Sequence, residues 1–289
     1  MLISKEKREA KTHYNSATKK KQRFFKKMSL KDLLDILSFK RGTGSVTEML
    51  CIEKHIDVLN PTFIDGYGNR MFVIEKSPNA DRKKLVNLFC CHTDTVHKTE
   101  GKQRVQYDKD QGIISLRPEE KDANECLGAD DAIGMWLMIQ MIKRKIPGIY
   151  LFHRGEEQFG KGSKYFRDRH AHFLRSFGVK YCISLDYEGT NTIVTHQFLS
   201  REDLYRGQRT RTCSDAFAVK LANYLGFSPI HLQRNGIFTD SASYYGIAVE
   251  CVNVAVGYYE YHKPTEYVIT ADVMKALNGL IAYCKAEIQ

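Results

Sequence analysis

The sequence contains no apolar run that approaches the roughly 18 residues a membrane-spanning helix needs, although hydrophobic residues fill 43% of its 289 positions. No apolar core follows the basic N-terminus, so no secretory leader is expected. None of the eight cysteines, Cys51, Cys90, Cys91, Cys126, Cys182, Cys213, Cys251 and Cys284, forms a C-x-x-C pair, and most lie in apolar runs. That excludes a thiolate zinc site and a disulfide framework and leaves buried free thiols in a reducing compartment, with the cytoplasm as the default. Internal repeats are absent. The length suits one large domain with a sizeable core or two small ones.

Charge is unevenly spread. The formal net charge is +10, yet residues 1–31 hold 11 Lys/Arg against 2 Asp/Glu, and the remaining 258 residues hold 33 against 32. A nearly neutral body therefore follows a basic extension over 1–30. Two readings of that extension stand: a solvated, partly helical tail, or a weak contact of residues 1–31 with nucleic acid or another acidic surface through the interleaved Tyr14, Phe24 and Phe25.

The body alternates strand and helix patterns. Short helices are expected after Ser29 and Ser45, in "LKDLLDILSF" and "VTEMLCIEKHIDVL". "FIDGYGNRMFVIEK" reads as two strands joined at 66–69, and "RVQYDKDQGIISL" as a second hairpin. "LVNLFCC" (85–91), "GIYLFH", "YCISLD" and "IAVECVNVAV" read as buried strands. "DAIGMWLMIQMIKRK" (131–145) is apolar nearly all round and reads as a buried helix. "CSDAFAVKLANYLGF" and "ADVMKALNGLIAYCKAEI" read as helices against the sheet. The economical α/β architecture is three layers: a largely parallel mixed central sheet with helices on both faces. Ligands in such sheets sit beyond the carboxyl ends of the strands. His92, Glu156/Glu157 and Asp186 each fall just past the end of an apolar strand, and His262 follows a fourth after a loop.

Taken singly, "HTD", "GADDAIG", "GEE", "SLD" and "YHKPTE" are ordinary strand ends, helix caps or acidic loops. Taken together they supply histidines and carboxylates in the kinds and numbers a two-metal hydrolytic site needs. Each metal takes several N/O ligands with a place left for water. A pair about 3.5–4 Å apart needs a shared carboxylate. One further carboxylate must remain unligated to act as base.

The chain resembles the di-zinc exopeptidases and amidohydrolases, the group that includes tripeptide aminopeptidase T, acetylornithine deacetylase and bacterial leucyl aminopeptidases. The likeness runs from about Thr47 to Ala282. "DGYGN" (65–69), "HTDTV" (92–96), "LGADDAIG" (127–134), "GEEQFGKGS" (155–163), "GIFTDSASYY" (236–245) and "HKPTEYV" (262–268) resemble the group's signature segments, in its order. The resemblance implies a zinc-exopeptidase-like fold, with His92, Asp130 and Asp186 holding one metal and Asp130, Glu157 and His262 the other. Asp130 would bridge. Asp94 would hydrogen-bond the far nitrogen of His92 and fix its tautomer, and Glu156 would be the general base. The Asp130–Asp131 peptide would be cis. Asp186 competes with Glu188 for its place, because relatives vary there. The cofactors implied are two zinc ions, with cobalt or manganese as substitutes.

Only 53 residues separate Asp186 from Asp240, too few for the lid domain that deacetylase-type members carry at this point. Residues 31–289 are therefore expected to form a single catalytic domain without a lid. Tyr261 is a candidate for the oxyanion-stabilising group that the lid would lend, and equally a structural aromatic in "GYYEYH". The activity implied is hydrolysis of a peptide or N-acyl amide bond in a small substrate, aminopeptidase-like, with an N-acyl-amino acid deacylase or carboxypeptidase as alternatives. From another class, a nucleic-acid-associated protein acting through the basic extension is the rival.

Overall fold

The structure, a computed structural model, describes residues 30–75, 86–121 and 125–287. The Ser29 cap and the whole basic extension before residue 30, with its expected contacts, lie outside the described residues. Helix α1 (30–37) and α2 (Val46–His55) open the described chain. Ser45 caps α2 as expected, its hydroxyl accepting from the Glu48 N–H. Strands β1 (Phe63–Ile64) and β2 (Arg70–Ile74) form the first hairpin. Then follow β3 (Asn87–His92), the hairpin β4 (Val105–Asp108) and β5 (Ile113–Leu116), one turn of helix α3 (Pro118–Lys121), α4 (Ala129–Lys143) and β6 (Gly148–His153). The second half runs α5 (Lys161–Phe177), β7 (Tyr181–Tyr187), β8 (Thr192–Val194), β9 (His196–Gln197), α6 (Arg201–Arg206), β10 (Thr210–Arg211), α7 (Asp215–Leu225) and β11 (His231–Gln233). It closes with β12 (Glu250–Ala255), β13 (Tyr258–Tyr259), β14 (Tyr267–Ile269) and α8 (Thr270–Glu287).

Eight strands form one sheet in the order β1-β2-β6-β3-β7-β12-β8-β11. Its centre is parallel: β3 pairs with β6 and β7, and β7 with β12. Antiparallel pairs flank that centre, β2 with β6 on one side and β8 with β12 on the other. The near-continuous apolar runs have their reason here, because every residue of β3 and β6 is buried. Side-chain alternation divides them between two layers. Phe89, Cys91, Tyr150, Phe152, Ile183, Val252 and Val254 point into one core with α4, α7 and α8. Leu88, Cys90, Ile149, Leu151, Cys182 and Cys251 point into the other, beneath Phe166 and Leu174 of α5. The sheet is thus covered on both faces, as its sequence leads one to expect.

All eight cysteines are buried and free. No helix among the described residues is long and apolar enough to cross a membrane. Helix α5 matches no expected element. Its apolar stripe is narrow, and only Gly162, Ser163, Phe166 and Leu174 of its 17 residues are buried. The excursion between β7 and the 3-10 turn Asp240–Tyr244 is folded back on the body: β8 and β11 extend the main sheet, while β9 and β10 pair with each other. A second, four-stranded sheet, β13-β14-β5-β4, packs Ile114, Leu116 and Val268 into the first core. Its turn between β13 and β14 carries His262.

Candidate metal and catalytic site

Three parallel strands end beside one another, and each delivers an acid or base. His92 is the last residue of β3, Asp186 is the last but one of β7, and Glu156 and Glu157 lie in the turn after β6. Asp130 comes from the first turn of α4, where the backbone departs from helical geometry at Asp130 and Asp131. The peptide between these two is cis. His262 arrives from the second sheet in a left-handed conformation, φ 63°.

These groups converge. His92 Nε2 lies 2.9 Å from Asp130 Oδ1 and 3.6 Å from Asp186 Oδ1. His262 Nε2 lies 3.2 Å from Asp130 Oδ2 and 3.0 Å from Glu157 Oε1. The two oxygens of Asp130 therefore face the two histidines separately. Ligating atoms of His92, Asp130 and Glu157 fall within 4.8 Å of one another, as do those of His92, Asp131 and Asp186. Two imidazoles and three carboxylates, all but His262 largely shielded from solvent, are a donor set that suits a pair of borderline divalent ions, and four like-charged carboxyls, Glu156 included, call for positive charge between them. By that test the residues fit the group.

The electrostatics follow from crowding. Burial, helped by the Asp130 charge, pushes the Asp186 carboxyl up to about 7. Burial also raises Glu156 well above the carboxylate range; His92 opposes this, and Asp186, Asp240 and Glu157 add to it. Glu157 is raised for the same first reason. Asp130 goes the other way: burial opposes ionisation, but hydrogen bonds from His262 and His92 win and hold it low. Burial works against a charge on His262, yet its bonds to Asp130 and Glu157 lift it to about 10.

Supporting contacts fix the groups. His92 Nδ1 is 2.9 Å from the carbonyl oxygen of Asp94 and 3.6 Å from its carboxylate. With Nδ1 donating to that carbonyl, Nε2 is the ring nitrogen that faces Asp130 and Asp186. The backbone of Asp94, more than its side chain, thus sets the tautomer. The Asp94 carboxylate instead accepts from the N–H groups of Gly155 (2.8 Å), Glu156 (3.1 Å) and Glu157 (3.3 Å) and from the Thr43 hydroxyl (2.7 Å). It holds the turn that carries both glutamates. Gly155 is required there, because its φ is 73° and a Cβ would meet the Tyr67 hydroxyl at 2.7 Å. Asp186 accepts from Thr239 (3.0 Å) and Tyr258 (3.2 Å). Glu188, its rival, turns away to the Glu260 N–H. Tyr261 is half-buried, with its ring edge-on to that of His262 at 4.8 Å between centroids.

Three residues that carried no ligating or catalytic role in the sequence belong to the site: Arg41, outside the quoted segments, and Asp131 and Glu266, within them. Asp131 accepts from the His92 and Gly134 N–H groups. Arg41, fully buried, donates to the carbonyls of Thr93 (3.0 Å) and Gly128 (2.8 Å), which ties together the loops that carry His92 and Asp130. Glu266 accepts from the N–H groups of Gly128 (2.8 Å) and Asp130 (3.1 Å), and burial raises its carboxyl to about 8. Glu266→Gln turns an amide N–H₂ toward one of those two donors. It is expected to cost about 1–3 kcal/mol of stability, read by equilibrium urea unfolding. A midpoint equal to that of the native chain would mean that Glu266 does not hold this loop.

No known family model matches the chain, and no curated protein does. Solved structures do match it. An aminopeptidase PepT from Bacillus cereus is 16% identical with a TM-score of 0.67, over 90% of this chain and 98% of its own. A tripeptidase from Staphylococcus aureus is 13% identical with a TM-score of 0.70, over 90% and 97%. The TET1 peptidase of Pyrococcus horikoshii, described as assembling into a tetrahedron or a large octahedral shell, is 13% identical with a TM-score of 0.56, over 89% and 99%. The chain has the zinc-exopeptidase-like fold of these peptidases.

Proposed function

We propose that this chain is a metal-dependent hydrolase of peptide amide bonds, an exopeptidase of the aminopeptidase kind acting on small peptides. The observation that carries the reading is the convergence of His92, Asp130, Glu157, Asp186 and His262 at the ends of β3, β6 and β7, with Glu156 in the same turn as Glu157, in a fold shared with aminopeptidases and a tripeptidase. His92, Asp130 and Asp186 would hold one divalent ion, and Asp130, Glu157 and His262 a second. Zinc suits the mixed nitrogen and oxygen donors, with cobalt or manganese as substitutes. Bound there, the ions would lower the pKa of water toward about 7 and polarise the substrate carbonyl.

The chain's own residues do the rest. Glu156 shares the turn of Glu157, and burial raises its proton affinity. It takes the proton of the attacking water and passes it to the departing amine nitrogen. Asp94 orients it through the N–H groups of 155–157. Tyr261, whose ring packs edge-on to His262, would donate to the oxygen that gains charge.

The test is a turnover screen with added zinc, manganese or cobalt. Aminoacyl, dipeptide, tripeptide and N-acyl-amino acid substrates are compared, with cleavage of unblocked peptides expected. Exclusive cleavage of N-acyl-amino acids would move the assignment to a deacylase, and removal of C-terminal residues to a carboxypeptidase. Hydrolysis of none would remove the hydrolase reading.

A further inference from the structure

One strained turn stands next to the catalytic glutamates. Phe159, two residues beyond Glu157, has φ 64°, uncommon for a bulky side chain, and the turn is closed by the Gly160 N–H on the Glu156 carbonyl at 2.9 Å. That conformation lays the Phe159 ring flat on Phe238, with centroids 4.7 Å apart at 21°. Phe238 immediately precedes Thr239, which holds Asp186, and packs with Phe198 in a small apolar cluster separate from both cores. Cations cover this cluster. Lys164 Nζ lies 4.1 Å from the centre of the Phe159 ring and 4.7 Å from that of Phe238. The Arg201 guanidinium lies 5.4 Å from Phe159, and that of Arg209 lies 4.2 Å from Phe198.

Among the described residues none of these three cations forms an ion pair with a carboxylate. Lys164 donates to the Phe159 carbonyl and Arg209 to that of Gly236. Partial burial, then Arg167 and Arg201, lower the Lys164 pKa, while Glu156 and Asp168 act the other way. The body of the protein is nearly balanced in charge as a whole, yet residues 158–169 hold four basic side chains against one acidic, and 201–211 four against two. Aromatic faces that adjoin Glu157 and Thr239 in the chain hold the cations in place and leave them without a carboxylate partner among the described residues.

We propose that Lys164, Arg201 and Arg209, held over Phe159, Phe198 and Phe238, form a subsite that binds a carboxylate of the substrate. This rests on the hydrolase reading above and names the class of peptide the site selects. A carboxylate within a residue or two of the scissile amide, on a side chain or at the chain end, gains charge-assisted hydrogen bonds there that the corresponding amide does not.

Two matched pairs test it on the full chain: Glu-Ala-Ala against Gln-Ala-Ala for a side-chain carboxylate, and Ala-Ala-Ala against its C-terminal amide for the terminal one. In one pair the acid is expected to exceed the amide by about tenfold or more in kcat/KM, and Lys164→Gln with Arg201→Gln should bring that ratio to within about threefold. The same pairs are titrated by calorimetry onto Glu156→Gln with and without the two charge substitutions, so that Kd ratios are read without turnover. Ratios near one in both pairs overturn the subsite, as does a preference that survives the double substitution. If no peptide is cleaved, the hydrolase reading fails by itself, and the Kd ratios still decide the subsite.

Discussion

Stripping divalent ions with a strong chelator is expected to abolish amide hydrolysis and to lower the melting temperature by on the order of 10 °C. The size follows from linkage. Ions held about 1,000-fold above their Kd stabilise the folded state by roughly 4 kcal/mol, and a chain of this length shifts by about 2–4 °C per kcal/mol. The sign follows from the site. Asp130, Glu156, Glu157 and Asp186 are packed together, largely out of solvent, and His92 and His262 are the cationic side chains in direct contact with them among the described residues. Removing positive charge from between four carboxyls leaves burial and mutual repulsion uncompensated. Calorimetry before and after chelation, elemental analysis and re-addition of zinc, cobalt or manganese read the effect. Full activity after exhaustive chelation, with no metal detected, would refute the two-metal assignment.

What the sequence disclosed and what it hid divide along a physical line. The strands β3 and β6 were legible because burial on both faces makes them apolar throughout, and α4 because it is buried all round. The gathering of His92, Glu157, Asp186 and His262 was legible because each follows a recognisable apolar strand, and Asp130 because "LGADDAIG" resembles a signature segment. The period of a strand could not choose between Asp186 and Glu188, which share a face. The structure separates them where β7 ends at Tyr187 and the chain turns Glu188 to the Glu260 N–H. Arg41 lies in no quoted segment and Glu266, though inside "HKPTEYV", carried no role, since the partners that place them at the site are backbone carbonyls and amides 52 to 138 positions away. Asp94 was found, but the hydrogen bond expected of its carboxylate is made at shorter range by its own carbonyl. Helix α5 was hidden by its charge: six of its 17 residues are Lys, Arg or Asp, and the sheet needs only a narrow stripe of it.

The two adjacent glutamates are expected to behave differently, although they are neighbours in sequence. Glu157 lies 3.0 Å from His262, and its ligating atom falls in the same cluster as those of His92 and Asp130. Glu156 belongs to neither cluster, yet burial and the neighbouring acids Asp186, Asp240 and Glu157 raise its proton affinity. Both N–H groups point at Asp94, so the turn itself survives a change in either side chain. Glu156→Gln keeps shape and hydrogen-bonding capacity but accepts no proton. It is expected to retain two metal ions per chain while kcat falls by about 100- to 10,000-fold. Glu157→Gln replaces an anionic ligand with a neutral one and is expected to lose an ion as well as rate. Metal stoichiometry measured beside kcat for both variants separates the roles. Near-native turnover by Glu156→Gln would rule out its part as the base. If Glu157→Gln instead kept both ions and lost only rate while Glu156→Gln lost metal, the chemistry would stand and the two assignments would exchange places.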